Sequence, residues 1–121
     1  MWIWICGPYA TGGADRERRA ANLRVLNEAA LAVFRMGHTP VIGANMALPI
    51  IAAAGADDAS HEIRLPLSLA LIERCDACLR LDGASTGSDI EVARFRATDR
   101  PVYRSIADLP QPQDGAALPP H

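Results

Sequence analysis

The sequence predicts a single-domain α/β fold, a doubly wound and mostly parallel sheet with helices on both faces. Three observations predict it. Short apolar runs alternate four times with helix-length segments, as expected of parallel strands joined by covering helices. A chain of 121 residues is one domain long, and a domain of that size buries about two-thirds of its unfolded surface. Hydrophobic residues at 50% against 21% charged separate it from disordered chains.

Residues 2–6 are apolar, β-branched and aromatic, and Gly7-Pro8 closes them; they read as a buried first strand. Residues 7–14 are a glycine-rich loop. Asp15 is placed to cap a long helix that runs to about Met36 and ends at Gly37. Leu23, Leu26, Ala30, Val33 and Phe34 give that helix an apolar face. Residues 39–42 read as a second strand. Residues 43–60 read as irregular, with one apolar turn around 48–54. Residues 61–74 read as a helix in which Pro66 is tolerated only near the start. A third strand is expected at 76–81, a loop at 82–87, a helix over 88–98 and a fourth strand at 101–104. Residues 109–121 hold four prolines and no periodicity. They read as a loose tail, which sets the domain at 1–108. The arrangement is of the Rossmann or flavodoxin type, where ligands bind beyond the carboxyl ends of the strands at the switch in strand order. The loops 7–14, 43–47 and 82–88 leave strand ends there.

Composition excludes several functions. A net charge of −2 gives no electrostatic reason for binding a nucleic acid polymer or a membrane surface. No run approaches the about 20 apolar residues of a membrane span. The apolar opening is too short for a signal peptide and lacks a basic segment, so a cytoplasmic location is expected. Three cysteines argue against a disulfide framework. All 12 basic residues are arginine, which excludes a Schiff-base or P-loop lysine.

Three motifs carry candidate chemistry. Gly7, Gly12 and Gly13 lie in a loop that misses the P-loop pattern, because Gly13 replaces the lysine and Ala14 the hydroxyl residue. The loop is either an anion cradle of backbone N–H groups or an ordinary strand-to-helix turn. Tyr9 at its tip is either a packed ring or a working hydroxyl. Arg16 begins the long helix within reach of a phosphate in that loop. In the loop at 82–88, Ser85, Thr86, Gly87 and Ser88 offer hydroxyls and N–H groups, and Glu91 falls in the first turn of the next helix. Its carboxylate either faces the crevice or closes a Ser88-x-x-Glu91 capping box. Cys75-Asp76-Ala77-Cys78 spells CxxC but lies where a helix ends, so a redox role lacks the helix N-terminus that lowers a thiolate pKa. His38, His61 and His121 are too scattered for a zinc site. His38 reads as structural.

The order of these motifs resembles the nucleoside 2-deoxyribosyltransferase superfamily, including its nucleoside 5′-monophosphate N-glycosidases. The resemblance rests on Cys6-Gly7-Pro8-Tyr9, the Gly37-His38 helix end, Glu73-Arg74-Cys75-Asp76, Gly87-Ser88-Asp89-Ile90-Glu91 and Arg100-Pro101-Val102, and covers about residues 2–105. It implies a doubly wound α/β sandwich and cleavage of an N-glycosidic bond by a glutamate nucleophile through a covalent glycosyl-enzyme. By that resemblance Glu91 is the nucleophile and Tyr9 orients it. Ser85 stands where the nucleotide hydrolases contact a 5′-phosphate with serine and the transferases contact a 5′-hydroxyl with aspartate. Ser68 stands where active members carry an aspartate that handles the leaving base, and a serine delivers a proton less readily. Ser85, Ser88 and the Gly12–Gly13 backbone are expected to hold the phosphate, and Asn45 and Met46 to line the base pocket. No cofactor or metal is implied. A homodimer or larger assembly is expected, with 48–54 as a candidate interface that packs internally if it is not one. The alternative is a nucleotide-binding or sensing module of the same fold without catalysis.

Overall fold

The computed structural model describes residues 1–56 and 61–111. Its strands are β1 (Trp2–Cys6), β2 (Thr39–Val41), β3 (Ala77–Arg80) and β4 (Val102–Tyr103). Its helices are α1 (Arg16–Arg35), α2 (Gly43–Ala53), α3 (His61–Ile72) and α4 (Thr86–Ala97), with short 3-10 turns at Thr11–Gly13 and Ile106–Asp108. The strands form one parallel sheet in the order β2-β1-β3-β4. The α/β class and the parallel sheet agree with the sequence, and β1 lies between its two crossovers.

Strand alternation sorts the sheet residues into two clusters. Ile3, Ile5, Ala77 and Leu79 pack with Leu26, Ala29 and Val33 of α1. Trp4, Cys6 and Cys78, each one residue out of phase, pack with Ile72 of α3 and with Val92 and Phe95 of α4. Burying each large apolar side chain contributes about 1.5–3 kcal/mol, and nine such side chains are essentially inaccessible to water.

Four expectations are corrected. Phe34 is half exposed, so the apolar face of α1 is carried by Leu26, Ala29 and Val33. The segment expected to be irregular is α2, whose Ala44, Ala47 and Ile51 turn inward at helical spacing. Its start has no side-chain cap and Pro49 lies inside it, so the usual helix signals are missing. Within the candidate interface segment Ile51 is therefore core, while Ile50 faces outward. The tail does not begin at 109. Leu109 is buried in the α1-side cluster, and His38 Nε2 bonds the Pro110 carbonyl at 2.8 Å while its Nδ1 meets the Met1 ammonium at 3.0 Å. His38 is structural, as expected. Asp57 and Asp58 and the tail from Pro112 onward, His121 included, lie outside the described residues, as does the His61 side chain.

Among the described residues no helix is long and apolar enough to cross a membrane. The CxxC pair does not act as a unit. Cys75 Sγ contacts the Leu71 carbonyl at 3.4 Å, whereas Cys78 Sγ lies 3.6 Å from Cys6 Sγ, all as free buried thiols. Burial pushes the Cys75 thiol up to about 11.

Candidate functional site

The site forms where β1 and β3 end side by side. The Leu81 N–H donates to the Cys6 carbonyl at 2.8 Å, which carries the pairing one residue past β3. The two following loops interlock: a Cβ on Gly83 would sit 2.6 Å from Pro8 Cγ. Arg80, buried at the end of β3, holds the second loop from inside. Its guanidinium donates to the Leu81 carbonyl, to the Gly83 carbonyl at 2.9 Å and to Asp89 Oδ1 at 3.1 Å.

Helix α4 starts two residues earlier than expected, at Thr86, and its cap moves from Ser88 to Ser85, which changes the role of the serines. Ser85 is the N-cap, its Oγ accepting from the Ser88 N–H at 3.2 Å. Ser85 Oγ–H donates to Ser88 Oγ at 2.9 Å, and Ser88 Oγ–H donates onward to the Gly7 carbonyl at 3.2 Å. Both hydroxyls are buried and engaged, so they tie α4 to the end of β1. The Ser88-x-x-Glu91 capping box does not form, because the Ser88 N–H is already taken. Glu91 falls in the second turn of α4.

That shift turns Glu91 toward the sheet. Val92 and Phe95 anchor α4 in the cluster that contains Trp4, and the Trp4 indole N–H donates to Glu91 Oε2 at 2.6 Å. An N–H donor to a carboxylate is a strong, directional bond. A buried indole also needs an acceptor, so each group satisfies the other. Gly43, at the start of α2, makes room for the ring: a Cβ there would lie 2.6 Å from Trp4 Cη2.

Glu91 opens into a cavity of about 870 Å³, the size range of small-molecule sites. Tyr9, Arg64, Ser68, Cys6 and Gly12 also line it. Tyr9 is buried, and the Arg64 guanidinium lies over its ring, 5.2 Å from the centroid. Burial pushes the Glu91 carboxyl up to about 7 from an ordinary 4.5, against the lowering effects of the Trp4 bond and of Arg64 and Arg80. Cys6 is driven the same way by its bond to Cys78, by burial and by the charges of Cys78 and Glu91. The cavity therefore holds a carboxyl raised toward neutrality beside the Cys6 thiol, whose ionisation is disfavoured. Among the described residues no three His, Cys, Asp or Glu side chains converge as metal ligands would.

Of the residues expected from sequence, Glu91, Tyr9, Gly7, Gly12, Ser85, Gly87 and Ser88 line this one cavity, and so does Ser68. Gly12 and Gly13 take positive φ angles of 68° and 70°, the turn conformation that suits glycine, but Gly13 is not on the cavity wall. Arg16 is exposed and also off the wall; Asp15 caps α1 by accepting from the Arg18 N–H at 2.8 Å, which leaves Arg16 on the outer first turn. Asn45 and Met46 are not on the wall either. The start of α2 carries them outward, Met46 is half exposed, and Asn45 Nδ2 donates to Asn27 Oδ1 at 2.7 Å.

Sequence reasoning missed Trp4, Gly43 and Arg64. The signal for Trp4 was its parity: it shares a strand face with Cys6, opposite Ile3 and Ile5, and a buried indole needs an acceptor. Arg64 and Ser68 are four apart on α3, so a helical reading already puts them on one face. Nothing local marks Gly43. A scan against protein-family models finds no match to the chain, and searches of the curated proteins and of the solved structures find none.

Proposed function

We propose that the protein cleaves the N-glycosidic bond of a nucleoside or nucleoside 5′-monophosphate, as an N-glycosidase or (deoxy)ribosyltransferase, with Glu91 as nucleophile. The observation that carries the reading is a half-buried carboxyl, oriented by the Trp4 indole N–H, at the mouth shared by the two central parallel strands. A doubly wound single domain belongs to the same reading, supported by the strand order and by apolar clusters on two faces of the sheet.

In this mechanism the ionised Glu91 attacks the anomeric carbon, the bond to the base breaks, and water or a second base resolves the glycosyl-enzyme. Trp4 fixes the carboxylate on one oxygen, Oε2, and leaves the other for attack. Tyr9 closes the wall beside it. The Ser85 and Ser88 hydroxyls are spent on structure. A 5′-phosphate is therefore assigned to the open backbone N–H groups of the first turn of α4 at Thr86 and Gly87, with the Gly12 loop opposite. No cofactor takes part in this scheme. A homodimer or larger assembly fits the half-exposed Leu65, Leu69 and Ile90 on the cavity wall.

Ser68 favours a second reading. It lines the cavity where related enzymes would carry a carboxylic acid, so a nucleotide-binding module without turnover fits the same walls. The deciding experiment incubates the protein with ribo- and deoxyribonucleosides and their 5′-monophosphates and follows free base by chromatography. Release that vanishes in Glu91→Ala supports the enzyme. Thermal stabilisation by a nucleotide without release supports the binding module.

A further inference from the structure

We propose that Arg64 is the leaving-group residue of this site, and that the site selects N-glycosides whose base departs as an anion. The inference rests on the glycosidase reading and specifies its substrate class. Among the described residues on the cavity wall, Glu91 is the one carboxyl group. It must be ionised to attack, so it cannot protonate the base in the same step. A base that leaves only after protonation, as a purine does through a ring nitrogen, finds no carboxylic acid among the described residues of this wall.

A cation is there instead. Arg64 and Ser68 lie four residues apart on α3, and both line the cavity. Arg64 is half-buried, and its guanidinium lies over the buried Tyr9 ring, a cation–π contact that favours this position. The other arginine on the wall, Arg94, is neutralised by Glu73 at 2.6 Å. Among the described residues no carboxylate lies within ion-pair distance of Arg64. Arg64 and Glu91 line the same cavity, and the Arg64 charge lowers the Glu91 pKa. A fixed cation in an apolar-lined cavity stabilises charge that develops during reaction and costs no reorganisation.

The step balances without an acid. A Glu91 oxygen bonds to the anomeric carbon as the carbon–nitrogen bond breaks, and the electron pair of that bond stays on the base nitrogen. Arg64 holds the resulting anion. Water then displaces Glu91 from the sugar, and the proton it loses ends on the departed base.

The test uses 2′-deoxyuridine 5′-monophosphate and its 5-methyl, 5-bromo and 5-fluoro analogues, whose bases differ in acidity but little in shape, with a purine nucleotide beside them. Rates are taken from full pH profiles, each separated into the Glu91 ionisation and the loss of the substrate's N3 proton, so that every member is compared as its neutral base with Glu91 ionised. The expected result is faster release from the more acidic bases and little from the purine. Arg64→Gln is expected to lose about 100-fold on the uracil substrate and less on the 5-fluoro analogue, so the dependence on base acidity steepens; Arg64→Lys recovers part of the rate. A merely structural arginine would lower all rates alike. Equal loss across the series, or release of the purine while the uracil series is inert, overturns the inference and leaves the glycosidase reading intact. No release from any member overturns the inference, and if the wider panel of nucleosides and nucleotides also yields no free base the glycosidase reading falls with it.

Discussion

The two faces of the sheet are built from alternate residues of the same strands, yet they differ in kind. The α1 face is aliphatic at its centre: Ile3, Ile5 and Leu79 meet Leu26 and Val33, with Tyr103 packed against them. The opposite face carries Trp4, Cys6 and Cys78, a tryptophan bonded to a carboxylate and a pair of thiols in contact. Both faces exclude water. The first uses that exclusion for stability, and through Ile5, Leu26, Ile42 and Ala44 it also supplies apolar wall to the cavity. The second uses it to hold a carboxyl at a pKa near 7, which costs stability whenever the group is charged. The candidate chemistry sits where the burial is less favourable.

Substitutions should separate the faces. On the site face, Glu91→Gln is expected to abolish base release in the chromatographic assay. It should also stabilise the fold at pH 8, because the buried charge is gone. The sign follows from linkage: the folded pKa lies above the ordinary 4.5, so the Glu91 contribution is complete below pH 4.5 and is lost as pH rises to about 7. The full difference is at most about 3 kcal/mol, and denaturant titrations of both proteins at pH 5 and pH 8 measure it. A gap that does not widen with pH breaks the comparison.

On the aliphatic face, Ile3→Ala is expected to cost about 2–5 kcal/mol of unfolding free energy while leaving KM unchanged for the folded protein. A changed KM would mean that the faces are not independent. Trp4→Phe leaves a smaller ring in a fully buried place and removes the N–H, at about 2–4 kcal/mol in stability from the cavity and the unpaired carboxylate oxygen. Its larger signature is kinetic. The Trp4 bond lowers the Glu91 pKa, so its loss should move the rising limb of kcat/KM against pH from about 7 to higher pH. The smallest effect is expected at Asn45→Ala, which removes exposed bonds to Asn27 outside the cavity and should leave KM where it was.

Much of this contrast is legible in the sequence. Parity along 2–6 is enough to separate Ile3 and Ile5 from Trp4 and Cys6. The position of Glu91 after a glycine-serine loop marks it as the residue to watch. Its role is not legible, because Ser85 and Ser88 compete for the same cap and only the backbone at Ser85 decides which begins the helix. The Trp4–Glu91 bond joins residues 87 apart, and helix periodicity tells which way a side chain points but not what lies beneath it. Helix α2 escapes a sequence reading because a glycine start, an apolar N-cap and Pro49 each argue locally against a helix. Packing of Ala44, Ala47 and Ile51 overrides them.

The bond between Trp4 and Glu91 also makes the site optically self-reporting. An indole whose N–H points at a carboxylate emits differently once that carboxylate takes a proton, so Trp4 emission follows the charge on the candidate nucleophile without any label. The chain has two tryptophans, and Trp2 is half exposed and away from the cavity wall. In a Trp2→Phe background every photon from tryptophan comes from beneath Glu91. A titration of that emission centred near pH 7 reads the ionisation directly, and a ligand entering the cavity shifts its midpoint in the direction of the charge it brings.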